Sequence, residues 1–308
     1  MEVDVVQPFL LESSGIRGDL VRLGPAVDHV LTRHAYPAPV ADLLGQMLAM
    51  AAALSSMMKF EGLFTLQTKG DGPVGMLVAD ATSGGHLRGY AGFDEKRLAA
   101  LPASGTSAPP RIADILGRGY LAFTVDQGPQ TERYQGIVEL GGETLTDSLL
   151  HYFRQSEQVR TGLIVTAAQV GGAWRAAGLL LQTTPDHGPD HGPGAGSGAG
   201  AALDTEEDWR RAMMLQATCT REELLDFDLP INDLLYRLFH EEGVRVFRRR
   251  PLVARCRCSR ARLEETLRSL PRAEIENLRI DGEVVVTCQF CNKSYRFDDD
   301  ALERIYAP

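Results

Sequence analysis

Two pairs of cysteines near the C-terminus constrain this chain more than any other feature. Of five cysteines, four lie in the last 53 residues, in Arg255-Cys256-Arg257-Cys258 and Thr287-Cys288-Gln289-Phe290-Cys291, with 29 residues between Cys258 and Cys288. Two tight pairs at that separation can wrap one tetrahedral ion, and four soft thiolates without His select zinc over harder cations. Cys256, Cys258, Cys288 and Cys291 are therefore expected to hold one Zn2+ when reduced. The first pair has a single intervening residue, and in extended backbone residues two apart share a face, so both sulfurs reach the ion without a turn.

The small segment around these cysteines, from about Val244 to Pro308, has a marginal core, whereas a structural zinc contributes on the order of 10 kcal/mol or more. Oxidised sulfur is no longer a thiolate ligand, so loss of metal is expected to unfold the segment. Arg255, Arg257, Arg260 and Arg262 crowd the first pair, and positive charge favours reactive thiolates. Two readings stand at this point: a redox switch, and a purely structural zinc, since a fully ligated four-thiolate site is redox-stable in most proteins. Eleven arginines against four glutamates between Arg245 and Arg279 add a third, a zinc-ribbon nucleic-acid binder, although only Phe247 interleaves with them.

At 308 residues the chain exceeds one ordinary core, so two domains are expected. A net charge of -9 argues against unspecific DNA binding by the whole molecule. Met1 to Leu10 carries Glu2 and Asp4 where a secretory signal has basic residues, which predicts a cytoplasmic protein. The apolar run Val40 to Met58 is interrupted by Asp42 and Gln46 and reads as a buried core helix, with no membrane partner.

The first part of the chain, residues 1–182, reads as an α+β domain. Strands are expected at Phe64 to Gln67, Gly75 to Ala79, Leu121 to Val125, Gly136 to Leu140 and Leu163 to Ala168. Helices are expected at Val40 to Lys59, Arg111 to Leu116 and Thr146 to Gln155. The tract TTPDHGPDHGPGAGSGAGAA, Thr183 to Ala202, cannot bury enough apolar surface to order itself and reads as a flexible linker. An amphipathic helix from Leu203 to Thr218, capped by Asp204 with Glu207, and a second from Ile231 to Glu242, ending at Gly243, complete a linker region over residues 183–243. Residues 244–308 form the zinc domain.

The run FRRRPLVARCRCSRARLEETLRSL, followed by VTCQFCNKSYRFD, resembles the C-terminal redox domain of the bacterial 33-kDa chaperonins, the heat shock protein 33 family. KGDGPVGMLVAD, GGHLRGYA and AAGLLLQ look like that family's substrate-binding domain. The resemblance implies an ATP-independent holdase that is inactive while reduced and zinc-bound. Oxidation expels zinc, joins Cys256 to Cys258 and Cys288 to Cys291, unfolds redox domain and linker, and favours an active homodimer. The partners implied are unfolding client proteins and ATP-dependent chaperones downstream; the client-binding residues are not identified. The low-complexity tract is longer than the family's usual connection, and its His187 and His191 read as spacer residues.

Gly70-Asp71-Gly72-Pro73 and Gly84-Gly85 match no phosphate-binding fingerprint and read as strand turns. No catalytic constellation stands out, so the chain is read as not an enzyme. Cys219 is a bystander thiol, and Met47, Met50, Met57 and Met58 form a core stripe on the long helix, with an adaptable client surface as the alternative.

Overall fold

The long apolar run predicted as a helix is the centre of the molecule. The computed structural model describes residues 3–101, 111–128, 130–156, 159–183, 205–277, 279–280 and 282–307. In chain order the elements are β1 (Val5–Leu11), β2 (Ile16–Leu23), α1 (Pro25–Thr32), α2 (Ala38–Met57), β3 (Leu63–Gly70), β4 (Val74–Thr82), β5 (His86–Phe93), α3 (Glu95–Ala99) and α4 (Ile112–Leu116). Next come β6 (Gly119–Asp126), β7 (Tyr134–Glu139), α5 (Leu145–Ser156), β8 (Thr161–Val170) and β9 (Ala173–Gln182). Then follow α6 (Thr205–Ala217), α7 (Arg221–Leu225), α8 (Ile231–Phe239), β10 (Val244–Val246), β11 (Arg250–Pro251) and β12 (Val253–Ala254). The last elements are α9 (Arg260–Arg268), α10 (Arg272–Glu276), β13 (Arg279–Ile280), β14 (Glu283–Thr287), β15 (Ser294–Phe297) and α11 (Asp299–Tyr306).

The chain divides into two compact units, Met1–Ala254 and Arg255–Pro308. In the first, two six-stranded sheets run in the orders β10-β1-β2-β9-β8, with β11 also on β1, and β12-β5-β4-β3-β6-β7. Helix α2 packs against strands of both sheets, and Val40, Leu44, Met47, Ala49, Met50 and Ala51 are fully buried there. A helix that is apolar on all sides needs partners all round, which two flanking sheets supply. It is long and apolar enough to cross a membrane, yet is largely buried inside the body. The methionine stripe divides: Met47 and Met50 are core, while Met57 and Met58 are half-buried.

The first sheet is covered on both faces. On β9, Trp174, Ala176 and Leu180 face α2, whereas Ala177, Leu179 and Leu181 face the opposite way. Covering both faces explains the unbroken apolar run AAGLLLQ, since a strand with one wet face alternates. The second cover is the linker: Leu224, Leu225, Ile231, Leu234, Leu235, Leu238 and Phe239 close over Phe9, Leu11, Ile16, Leu20, Leu179 and Leu181. Phe9 stacks on Phe239 with ring centroids 5.8 Å apart. Its ring lies across Gly18, where a Cβ would come within 2.1 Å of it, so only glycine fits beneath that aromatic pair.

Polar contacts pin the same helices. Arg22, buried to 1% exposure, donates to the Leu229 and Glu223 carbonyls. Glu242 accepts from Ser13 Oγ at 2.6 Å and pairs with Arg211 of α6. The Arg211 hydrogen bonds hold the Glu242 carboxyl below its ordinary value of 4.5, against the opposing effect of burial. A depressed folded-state pKa contributes stability that is complete above the unfolded value and lost as pH falls through the folded one. Acidification below about pH 4.5 is therefore expected to loosen α6, and Glu242→Gln to remove that dependence. Trp209 fluorescence in a Trp174→Phe background reads it; an unchanged acid transition in the Gln variant would place the sensor elsewhere.

All five expected strands and all three expected helices of the first domain are present. The linker helix begins at Thr205, and the tract 184–204, with Asp204, His187 and His191, lies outside the described residues. The second linker helix ends sooner than expected: α8 stops at Phe239 and a 3-10 turn, His240–Glu242, leads to Gly243 in the left-handed region at φ 67. The boundary of the last unit also differs from the expected Val244. Residues 244–254 add strands to both sheets of the body, β10 and β11 on β1 and β12 parallel to β5, so the second unit starts at Arg255. Gly70 to Pro73 and Gly84-Gly85 are the predicted turns, β3 to β4 and β4 to β5.

Candidate metal centre

Each cysteine pair is delivered by a different local device. Cys288 sits just beyond β14 and Cys291 before β15, in a hairpin whose last paired residues are Thr287 and Ser294. The Cys288 amide donates to the Lys293 carbonyl at 3.0 Å, and the Asn292 amide to the Cys288 carbonyl at 2.8 Å. Asn292 takes φ 55, a conformation Asn tolerates better than other side-chain residues. Cys256 and Cys258 precede α9, whose N-cap Ser259 is extended and accepts from the Arg262 amide.

The four Sγ atoms lie within 4.8 Å of one another. Cys256 and Cys288 are 3.7 Å apart and Cys258 and Cys291 3.4 Å. Tetrahedral zinc with Zn–S near 2.3 Å separates its sulfurs by about 3.8 Å, so the cluster has the dimensions and donor set of a four-thiolate site. Each of these two contacts joins one sulfur from each pair, as expected when both pairs face a common centre.

Electrostatics single out Cys258. Burial raises its pKa, but the Tyr295 hydroxyl at 3.2 Å and the neighbouring thiols outweigh that effect and bring it down to about 7. Burial pushes Cys256 up and takes Cys291 up to about 12, partly opposed by the Lys293 amide. Tyr295 was not singled out in the sequence; the signal available was the alternation in Ser-Tyr-Arg-Phe, which buries Tyr295 and Phe297 on one face of β15. Outer-shell hydrogen bonds tune metal sites strongly. Tyr295→Phe is expected to weaken metal affinity by about tenfold while the ring keeps its packing. Chromophoric chelator competition measures this; wild-type affinity would leave the hydroxyl without influence on the metal.

Two of the four arginines expected to activate the first pair have other engagements. Arg260 donates to Glu264 and to the Arg296 carbonyl and lies 4.5 Å from the Phe297 ring centroid; Arg262 donates to the Arg257 carbonyl. Further along, Arg272 pairs with Glu276 and Glu303, and Arg279 with Glu276 and Asp299. Cys219 belongs to the other unit, where it is buried in the sheet-linker cluster and burial pushes its thiol up to about 11, so it is a poor nucleophile at neutral pH.

The core of this unit is small. Among the described residues it comprises Leu267, Ile275, Val284, Tyr295, Phe297, Ala301, Leu302 and Ile305. Fold and site together define a class: a two-sheet α+β body with helices laid on one sheet, followed by a small unit whose four thiols lie close enough to share one metal ion. The chain belongs to the Hsp33 protein family, whose sequence model matches residues 4–298, and it is accordingly a chaperone of that family. It is 40% identical over 300 residues to the 33 kDa chaperonin of Caulobacter vibrioides (strain NA1000 / CB15N), covering 96% of this chain and 95% of that one. It is 39% identical over 306 residues to the 33 kDa chaperonin of Ectopseudomonas mendocina (strain ymp), covering 99% and 95%. The fold matches the crystal structure of the Thermotoga maritima 33 kDa chaperonin with a TM-score of 0.80, at 23% identity, over 98% of this chain and 97% of that one.

Proposed function

We propose that this chain is a cytoplasmic, ATP-independent holdase whose activity is governed by oxidation of Cys256, Cys258, Cys288 and Cys291. The observation that carries the reading is the convergence of these four thiols within 4.8 Å in a unit with so small an apolar core. Such a core supplies about 3–5 kcal/mol at most, less than a bound zinc does. Zinc would be held by the four cysteines and would supply a structural brace. The chain's own residues set the response: Tyr295 stabilises Cys258 as thiolate, the form that oxidants attack.

Oxidation would join Cys256 to Cys258 and Cys288 to Cys291 and unfold the metal unit. Linker release would follow, uncovering the apolar sheet face of Phe9, Leu11, Ile16, Leu20, Leu179 and Leu181 now under α7 and α8. Non-directional burial of such surface lets a holdase bind many unfolding sequences. In this reading residues 1–182 carry the client surface, 183–243 are the releasable linker, and the switch starts at Arg255, later than Val244, because 244–254 pair with the body sheets. The active form would be a homodimer that passes clients to ATP-dependent chaperones, with no catalytic step of its own.

The test is zinc release under peroxide at mildly raised temperature, recorded with suppression of aggregation of a thermally unfolding protein. Release with new activity, both reversed by reductant and zinc, is the expected result. Retained zinc, or zinc loss while aggregation proceeds unchecked, would leave the cysteines purely structural.

A further inference from the structure

The body carries a second feature that the chaperone reading does not use. Residues 247–253 run as a strap across the gap between the two sheets. The Phe247 amide donates to the Pro8 carbonyl at 2.9 Å, the Leu252 amide to Asp4 at 2.7 Å, and the Val253 amide to Gly85 at 2.9 Å. The strap packs so closely on the β4 to β5 turn that a Cβ on Gly85, already at φ 79, would lie 2.3 Å from the Pro251 carbonyl oxygen. Beside it opens a cleft of about 760 Å³ lined by Arg17, Lys59, Arg248, Arg249 and Arg250, with Asp19 as its one carboxylate.

Five cations against one acid is the reverse of the balance of a chain with net charge -9. Unlike the paired arginines of the metal unit, Arg17, Lys59 and Arg248 have no ion-pair partner among the described residues. The Arg250 guanidinium is held in place beside them by donating to the Ser56 carbonyl at 3.0 Å, whereas Arg249 is already committed to Gln7 Oε1 at 2.6 Å and Asn232 Oδ1 at 3.2 Å and contributes charge only. We propose that this cleft binds an oligophosphate-type anion. Guanidinium groups match phosphate oxygens in pairs, Lys59 adds charge at the rim, and the volume suits a small ligand.

Asp19 fits the same assignment. It is buried to 1% exposure with Oδ2 lacking a hydrogen-bond partner. Burial pushes its carboxyl up to about 7, opposed by the Ser56 hydroxyl and the Arg250 charge. Burial thus favours the neutral form of this carboxyl and reduces the negative charge at the floor of the cleft.

Calorimetric titration of the full-length reduced chain with sodium tripolyphosphate tests the proposal. One saturable site per chain is expected, weakening as salt is raised. Arg248→Glu with Lys59→Glu is expected to weaken it by about tenfold or more, while Lys96→Glu with Arg304→Glu, an equal change in charge at exposed positions outside the cleft, leaves it within about twofold. The neutral pair Arg248→Gln with Lys59→Gln, checked for a wild-type melting curve, guards against misfolding and should also lose binding. Equal affinity for ATP would assign recognition to phosphates alone; tighter ATP would add the half-exposed Phe247 ring as a base platform, and either is an oligophosphate site. Absence of saturable binding, or equal loss in both charge-reversed pairs, would overturn it.

Discussion

Cys288→Ser is expected to leave residues 255–308 unfolded in the reduced protein, with the sheets of the body intact. The reasoning is a comparison of magnitudes. Four thiolates around zinc supply on the order of 10 kcal/mol or more to a small domain, and a serine hydroxyl does not replace a thiolate ligand. What remains is the small cluster around Phe297 and Ile305, too little to offset the ordering of its chain. Hydrogen exchange separates the outcomes. Amides of β14, β15 and α11 should exchange at once in the variant, while those of β2, β3 and β9 stay protected. Zinc content should fall with them, and aggregation suppression should no longer require peroxide. Wild-type protection of α11 in a metal-free variant would mean that the apolar core suffices and that oxidation cannot act by unfolding this unit.

Leu235→Asp is expected to produce the active surface without touching the cysteines. Leu235 is fully buried between α8 and the first sheet. The substitution removes an apolar side chain and places a carboxylate where no cation is paired to it, a combination that costs about 4 kcal/mol or more. The cheapest relief is for α7 and α8 to lift from the sheet, since each is short and depends on packing for its stability. The variant should retain its metal, bind an apolar dye while reduced, and suppress aggregation without oxidant. If the linker amides lose protection and the dye binds, yet aggregation is unaffected, the sheet face under the linker is not the client surface.

These expectations rest on different kinds of information. The clustering of the four thiols was legible because ligand chemistry is local: residue type and spacing mark two tight cysteine pairs as partners for a common centre. The central helix was legible for a related reason, as twenty residues apolar on every side, Ala38–Met57, have few alternatives to complete burial. The strands β1, β2 and β5 were not singled out. Pro8 and the charged Arg17, Asp19 and Arg22 interrupt the pattern of the first two, and their neighbours in the sheet come from distant parts of the chain, β9 and β10.

By itself, then, the sequence determined that Cys256, Cys258, Cys288 and Cys291 would come together as a candidate metal site, the α+β character of the body and its buried helix. Only the tertiary structure decided that the linker covers an apolar sheet face, that Tyr295 addresses Cys258, and that Val244–Ala254 belongs with the body. It alone brought Arg17, Lys59 and Arg248–Arg250 to one cleft. The physical reason is common to all four: each depends on side chains or backbone groups brought together by strand pairing and packing across long stretches of chain, and residue spacing does not encode those meetings.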